Sequence, residues 1–434
     1  MKKYEIAKNI SKLMIKGLKI VRPNAGTSLP GRFMTKVCPE FIKIESQKIK
    51  NKTICVTGTN GKTTTSGFIA SILNETGKPV LHNKQGANMP QGIATCFLQN
   101  GEKPVDYCVL ECDEAWLYPL YKSLKADFLT VTNLFPDQTE RYGGVYELAK
   151  RIKKAVDLNP DLKVVLNAND PHLLPLQNDN TVFYGIKKVV NNIDELNFVP
   201  EICTCGSEYN YKKRFYAHIG EFKCSKCDNK TQKAKYIGEI TLNADNTELS
   251  VNDEYKFKTS LTGLYNAYNL MAAVSTALEM EISPEIIQKG LDNYKNVFGR
   301  IDKFQVDGKD IIIQLIKNPV GTNQAIKMIK DIEKSKLFVL LNNTPADGSD
   351  ISWLYDTDFE YFKDYKNEVI FSGTKANELA LRFKHAGLKE KQFFIEPDVK
   401  RAYKHAIKAT QKDETLLILA NFTTLAELKN IMKR

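Results

Sequence analysis

Thr57-Gly58-Thr59-Asn60-Gly61-Lys62-Thr63-Thr64-Thr65 follows the apolar run Ile54-Cys55-Val56 and opens a stretch of helical character that continues through Asn74 and stops at Gly77. A strand, a glycine turn and a helix in immediate succession read as a phosphate-binding loop. Such a loop needs glycines so that backbone N–H groups can approach phosphate oxygens, a lysine to neutralise the β and γ charge, and a hydroxyl to hold Mg2+. Gly61, Lys62 and Thr63 supply these in order, and Gly58, Thr59, Asn60 and Thr64 complete the expected nucleotide-binding set. The pattern G-x-x-x-x-G-K-[ST] would place its first glycine where this chain has Val56, so Gly58 makes a shorter variant. The alternative is a glycine turn with no ligand.

The 434 residues suffice for two or three domains with their own cores, and the 42% hydrophobic content is that of a soluble globular protein. No run of about 18 apolar residues occurs, and the lysine-rich N-terminus lacks the apolar segment of a signal peptide, so a cytoplasmic location is expected. The net charge of +11 favours anionic partners: nucleotides, phosphorylated substrates or anionic lipid surfaces. The basic segments Lys43 to Lys52 and Lys150 to Lys154 read as solvated faces rather than nucleic-acid sites.

Apolar strand candidates alternate with helical patterns, which predicts an α/β fold with parallel sheets. The first set is Thr53 to Val56, Tyr107 to Leu110, Phe128 to Thr132 and Val164 to Leu166. Each ends where polar or acidic residues begin, at the carboxyl end where α/β folds place their ligands. The second set is Ile311 to Leu315, Leu337 to Leu341, Val369 to Ser372, Phe393 to Ile395 and Leu416 to Leu419, with helical stretches Asn323 to Glu333 and Val399 to Thr410 between them. It predicts a second α/β domain, joined near Gly299 after the helical segments Tyr268 to Met280 and Ser283 to Tyr294.

Three constellations carry chemistry beside the loop. Glu111, after the second strand, is a carboxylate that can share Mg2+ with Thr63, with Asp113 and Glu114 as substitutes. Four of the nine cysteines, Cys203, Cys205, Cys224 and Cys227, form two close pairs in a polar, basic segment. That spacing predicts one structural Zn2+ held by four thiolates, with Gly206 giving backbone N–H groups access to sulfur. The stretch Asp347-Gly348-Ser349-Asp350 through Asp356 gathers carboxylates beside a glycine turn, suited to orienting a nucleophile, binding ammonium or serving as a base. An Asp-rich loop capping the next helix is the competing reading.

The phosphate loop, Glu111, Leu166-Asn167-Ala168-Asn169-Asp170-Pro171 and Gly263-Leu264-Tyr265-Asn266-Ala267-Tyr268-Asn269 together resemble the central ATPase domain of the Mur ligase family. Within it the chain is similar, over nearly its full length, to the synthetase subunits of lipid II isoglutaminyl synthase. Three features point there: the four-cysteine insert, Asp137-Gln138-Thr139-Glu140-Arg141-Tyr142 where muramyl ligases carry Asp-His, and the Asp347 to Trp353 motif. The resemblance implies a lead-in over 1–50, a Mur-type ATPase domain over 51–298 with a zinc ribbon inserted at 198–235, and a Rossmann-like C-terminal domain over 299–434. About 50 residues before the loop are too few for a UDP-sugar-binding domain, which fits a lipid-linked substrate.

The resemblance further implies ATP, Mg2+ and Zn2+ as cofactors, a GatD-like glutaminase partner in a heterodimer, and lipid II as substrate at the inner membrane surface, with the chain peripheral to it. Lys62 would act on the γ-phosphoryl group, Asn266 would lie by the adenine, and Arg300 would contact nucleotide phosphate or ribose. Asp350, or less favoured Asp347, would complete the partner's Cys-His site or guide ammonia. Gln138 in place of the family histidine puts a second Mg2+ in doubt, and Lys150, Lys153 and Lys154 lie downstream with none assigned to the family's carbamylated lysine. An amide ligase adding an amino acid to a peptide or folate, and a nucleotide-gated zinc-ribbon scaffold, stand as alternatives.

Overall fold

The structure, a computed structural model, describes residues 2–21, 28–83, 87–136, 144–191, 201–243, 245–295, 301–329, 332, 334–344, 347–348 and 350–432. The chain divides into two compact units, Met1–Asn296 and Val297–Arg434.

The first unit is built on β1 (Ile49–Thr57), β2 (Val80–His82), β3 (Val105–Glu111), β4 (Phe128–Val131), β5 (Lys163–Asn167) and β6 (Thr181–Val190). After the two-stranded hairpin of β7 (Tyr209–Tyr216) and β8 (Ile219–Cys224), β9 (Tyr236–Leu242), β10 (Thr247–Val251) and β11 (Tyr255–Thr259) complete its sheet. The order is β11-β10-β9-β6-β5-β4-β1-β3-β2, parallel from β2 to β9 and antiparallel at β10 and β11. The chain runs to one side of β1 and then returns to the other, so β1 marks the point where the strand order reverses and a crevice opens at the carboxyl ends. Ile54, Cys55 and Val56 of β1 are fully buried, which explains the unbroken apolar run. Burying each such side chain contributes about 1.5–3 kcal/mol.

The strands β2, β6 and β9 to β11 escaped the sequence reading. The first is three residues long, and the antiparallel strands carry exposed lysines and glutamates on one face (burial alternates along Thr247–Val251), which dilutes the apolar signal. The helix Lys62–Asn74 ends where expected, and Leu264–Glu279 begins four residues earlier than expected because Gly263 starts it. Three helices precede β1: Lys2–Val21, Leu29–Val37 and Phe41–Ser46. The second is tied to the helix Pro90–Asn100 by the Gly31 N–H donated to Thr95 Oγ1 at 2.9 Å.

The second unit holds β12 (Ile301–Val306), β13 (Lys309–Leu315), β14 (Ser335–Leu340), β15 (Val369–Ser372), β16 (Phe393–Ile395) and β17 (Thr415–Ala420), in the order β12-β13-β17-β14-β15-β16. All neighbours are parallel except β12 and β13. The helix placed at Asn323 to Glu333 runs instead over Pro319–Ile329, since its proline occupies the first helical turn, where a missing N–H costs nothing.

Candidate functional site

The phosphate loop is held open by the segment that follows β4. Asn60 N–H donates to Asn133 Oδ1 (2.9 Å), Thr132 Oγ1 donates to the Asn60 carbonyl (2.7 Å), and Phe135 N–H donates to Thr59 Oγ1 (2.9 Å). Gly58 (φ +127) and Gly61 (φ +89) adopt backbone that side chains rarely tolerate. Space forbids a side chain as well: a Cβ at Gly61 would lie 1.9 Å from Asn269 Oδ1, and one at Gly58 2.3 Å from Thr132 Oγ1. Gly61 is the residue before the helix Lys62–Asn74, so the first-turn N–H groups of that helix and its dipole face the loop.

Lys62 is buried, and its Nζ donates to the Gly58 carbonyl (2.5 Å) and Glu114 Oε2 (2.9 Å). Burial acts to lower its pKa, but Glu114, Asp113 and Glu111 outweigh it and hold the ammonium above its ordinary value. Glu111 pairs in register with Val56 across β1 and β3, which sets its carboxylate beside the loop. It is buried, accepts from Asn88 Nδ2 at 3.2 Å, and its backbone is pinned on both sides by Asn83 (2.8 Å each). Two buried carboxylates, Glu111 and Glu114, face one ammonium. That excess of negative charge, with the Thr63 hydroxyl at the half-buried second position of the helix, is a donor set that suits Mg2+. Asp113 instead caps Ala115 N–H at 3.1 Å.

The four cysteines converge. Their sulfurs lie within 4.8 Å of one another, with Cys203 3.6 Å from Cys227 and Cys205 3.4 Å from Cys224. Lys226 and Cys227 N–H groups both donate to Cys224 Sγ at 3.4 Å, and Asn229 Nδ2 donates to Cys203 Sγ at 3.2 Å. Gly206, with a positive φ of 84°, turns the chain back on itself: its own N–H donates to the Cys203 carbonyl at 2.8 Å, while the Cys205 N–H reaches the Cys203 sulfur. Burial raises the Cys203 thiol, but hydrogen bonds from Cys205 N–H, Tyr209 and Asn229 bring it down to about 5. For Cys227 a backbone N–H lowers the pKa, while burial and the neighbouring sulfurs push it up to about 12. Crowded sulfur anions repel, and a Zn2+ at their centre relieves that repulsion.

A second buried cluster, unforeseen in the sequence, ties the cysteine hairpin to the nine-stranded sheet. His218 at the β7–β8 turn lies 3.2 Å from Asp170 Oδ1, and His172 reaches Glu201 at 2.7 Å and the Leu134 carbonyl at 3.0 Å. Burial lowers the His172 pKa, but Glu201 and Asp170 raise it overall, whereas burial and His172 hold His218 down. The two imidazoles thus shift in opposite directions between the carboxylates of Asp170 and Glu201, with Asp170 Oδ2 accepting Leu134 N–H at 2.9 Å. The Leu166 to Pro171 motif was legible, but not its histidine partners: His172 adjoins the motif, and His218 lies between the two cysteine pairs, 48 residues from Asp170.

Asp347 and Asp350 part company. Asp347 accepts the Thr423 N–H at 3.0 Å and hydroxyls from Thr423 and Thr344, which commits it to its own fold. Asp350 is exposed and, among the described residues, accepts from Ser352, N–H at 2.8 Å and Oγ at 2.9 Å. Asn266 is buried one turn before Asn269, donating to the Thr262 carbonyl at 2.8 Å. Lys150 and Lys154 are exposed on the helix Val145–Val156, Lys150 pairing with Glu147 at 2.6 Å. Arg300 and Asp137 to Tyr142 lie outside the described residues.

The arrangement is that of Mur ligases, by fold and by domain. Residues 56–201 match the Mur ligase middle domain and residues 315–425 the MurT ligase C-terminal domain. Among solved structures, a pseudomurein peptide ligase type C from Methanothermus fervidus superposes with a TM-score of 0.73 at 24% identity, over 90% of this chain and 80% of that one. MurF from Acinetobacter baumannii follows at 0.66 and 15%, over 93% and 80%. Lipid II isoglutaminyl synthase (glutamine-hydrolyzing) subunit MurT of Staphylococcus aureus is 32% identical over 94% of this chain and 93% of its own. The same subunit of Streptococcus pneumoniae is 32% identical over 95% and 93%. The chain belongs to the MurT family.

Proposed function

We propose that this chain is the ATP-dependent synthetase subunit of a lipid II isoglutaminyl synthase acting in peptidoglycan biosynthesis. It would convert the second-position D-glutamate of the lipid II stem peptide to D-isoglutamine. The observation that carries this reading is the buried Lys62, Glu114 and Glu111 group at the carboxyl end of β1, in a chain 32% identical over 94% of its length to a MurT subunit.

In this reaction the glutamate α-carboxylate attacks the γ-phosphorus of ATP and ADP leaves, giving an acyl phosphate. Ammonia then adds to the acyl carbon, phosphate leaves, and a proton is lost to yield the amide. Lys62 and the first-turn N–H groups of its helix meet the charge moving onto the β-phosphate oxygens. To do so Lys62 exchanges the Glu114 carboxylate for phosphate, and Glu114 keeps the ammonium charged and aimed until then. Thr63 and Glu111 would hold Mg2+, which shields phosphate charge, and the four cysteines would hold a structural Zn2+. Asn266 would lie by the adenine and Arg300 against nucleotide phosphate or ribose.

Free ammonia is mostly protonated near neutral pH, and the ammonium ion has no lone pair to attack with, so ammonia has to be made close by. A GatD-like glutaminase partner would supply it. The exposed Asp350 is the carboxylate available to such a partner, since Asp347 is already engaged. Reconstitution of this chain with a glutaminase, lipid II, ATP, Mg2+ and glutamine tests the reading. One ADP per amidated stem is the expected outcome. Turnover that requires an amino acid in place of ammonia would replace it with an amino-acid ligase.

A further inference from the structure

We propose that the outer face of the N-terminal helix Lys2–Val21 docks on an anionic membrane surface, through an apolar stripe of Ile6, Ile10 and Leu13 bordered by lysines. The proposal rests on the lipid-linked substrate of the preceding reading and deepens it.

The helix has two apolar faces. The inner one is fixed: Ala7, Lys8 and Ser11 are buried, and Tyr4 and Ile15 pack against the core of the first unit. Lys8, 1% exposed, pairs with Glu45 at 3.2 Å and with Glu102, and the Tyr4 hydroxyl bonds Glu45 as well. This buried polar anchor sets the rotation of the helix about its axis, so what lies on the far side is not free to turn inward.

On that far side Ile6 is 60% exposed, Ile10 42% and Leu13 67%. Their spacing of i, i+4, i+7 aligns them in one stripe. The exposed Lys16 and half-buried Lys12 lie on the same helix, whose sequence also carries Lys2, Lys3 and Lys19 against Glu5 alone. Apolar residues in a line with basic residues around them are the signature of a helix that lies in the interface of an anionic bilayer. It does not cross it: no helix among the described residues is long and apolar enough to span a membrane. A protein partner would need acidic groups around an apolar groove. A bilayer offers both apolar depth and negative headgroups at the surface where a lipid-linked substrate is presented.

The test uses the synthetase with its glutaminase and two variants, Ile6→Ser/Ile10→Ser/Leu13→Ser and Lys16→Glu. Flotation is measured with phosphatidylglycerol/phosphatidylcholine vesicles and with pure phosphatidylcholine vesicles. The wild type should partition onto the anionic vesicles and be released by salt. The triple variant should lose ~10-fold or more in partitioning, and so should Lys16→Glu, because reversing the charge removes one attraction and adds a repulsion of similar size. Both should melt like the wild type, and both should amidate lipid II in detergent micelles at the wild-type rate while lagging on vesicles. Equal flotation of wild type and triple variant, or equal binding to neutral and anionic vesicles, overturns the proposal. So does a concentration-dependent dimer lost in the triple variant without vesicle binding, which would assign the stripe to a second copy. Wild type that floats but fails to amidate in micelles would sink the enzymatic reading and leave the membrane face standing.

Discussion

The two units each place a carboxylate-bearing loop at the carboxyl end of a parallel sheet, and they use the same position in opposite ways. In the first, Lys62, Glu111 and Glu114 are all buried, and the loop backbone is clamped by Thr132, Asn133 and Phe135. In the second, Asp347 is consumed in bridging the ends of the neighbouring strands β14 and β17 through Thr423, and this leaves Asp350 facing solvent. Burial concentrates charge where water cannot screen it, which suits phosphoryl chemistry. An exposed carboxylate on a braced loop suits recruitment by another chain. Under the proposed function, the same topological position serves a small molecule where it is buried and another chain where it is exposed.

Replacing Lys62 by Ala should break the first half of that contrast most severely. Loss of one charge contact to the transferring phosphoryl group costs about 3 kcal/mol in the barrier, a fall of ~100-fold or more in ATP-dependent amidation. Circular dichroism should show the fold retained, with a lowered melting temperature because Glu114 loses its buried partner. Near-wild-type turnover in a folded variant would remove the loop from the chemistry.

The second half turns on Asp350→Asn, which keeps shape and removes charge. Glutamine-driven amidation should fall ~100-fold, while high ammonium at alkaline pH restores the wild-type rate. Equal loss with both nitrogen sources would move Asp350 into the synthetase site, and no loss would return it to a turn-capping role through Ser352.

Asp347→Asn sharpens the distinction. Since its carboxylate is spent on Thr423 and Thr344, the cost should appear as about 2 kcal/mol of stability in a urea titration, with glutamine and ammonia rates affected alike. The smallest effect on the phosphate loop is expected from Cys224→Ser with Cys227→Ser. Elemental analysis should drop from about one zinc per chain to none, while ATP affinity stays within ~3-fold. A wild-type protein without zinc would remove the metal site, and a variant that no longer binds ATP would join the two sites that are here kept separate.

Much of this was readable in one dimension, for a physical reason. A phosphate loop needs its glycines, lysine and hydroxyl contiguous, because it is a single turn between a strand and a helix, so Gly58 to Thr64 stand out in any order of reading. The cysteine pairs are similarly local, each on a short turn. The α/β alternation followed from fully buried strands such as Ile54 to Val56, whereas the amphipathic edge strands β10 and β11 had too little apolar contrast to register.

What the tertiary structure alone decided are the pairings across long stretches of chain. Lys62 meets Glu114 across 52 residues, and the choice of Glu114 over Asp113 depends on which one the turn after β3 points inward. Asn133 meets Asn60 across 73 residues, and Thr423 claims Asp347 across 76. His218 finds Asp170 across 48 residues only because the cysteine hairpin folds back on the sheet. Local spacing specifies which groups are available for chemistry. The register and order of the strands, set by burial of residues far apart in sequence, specify which of those groups face one another and which are left to face solvent.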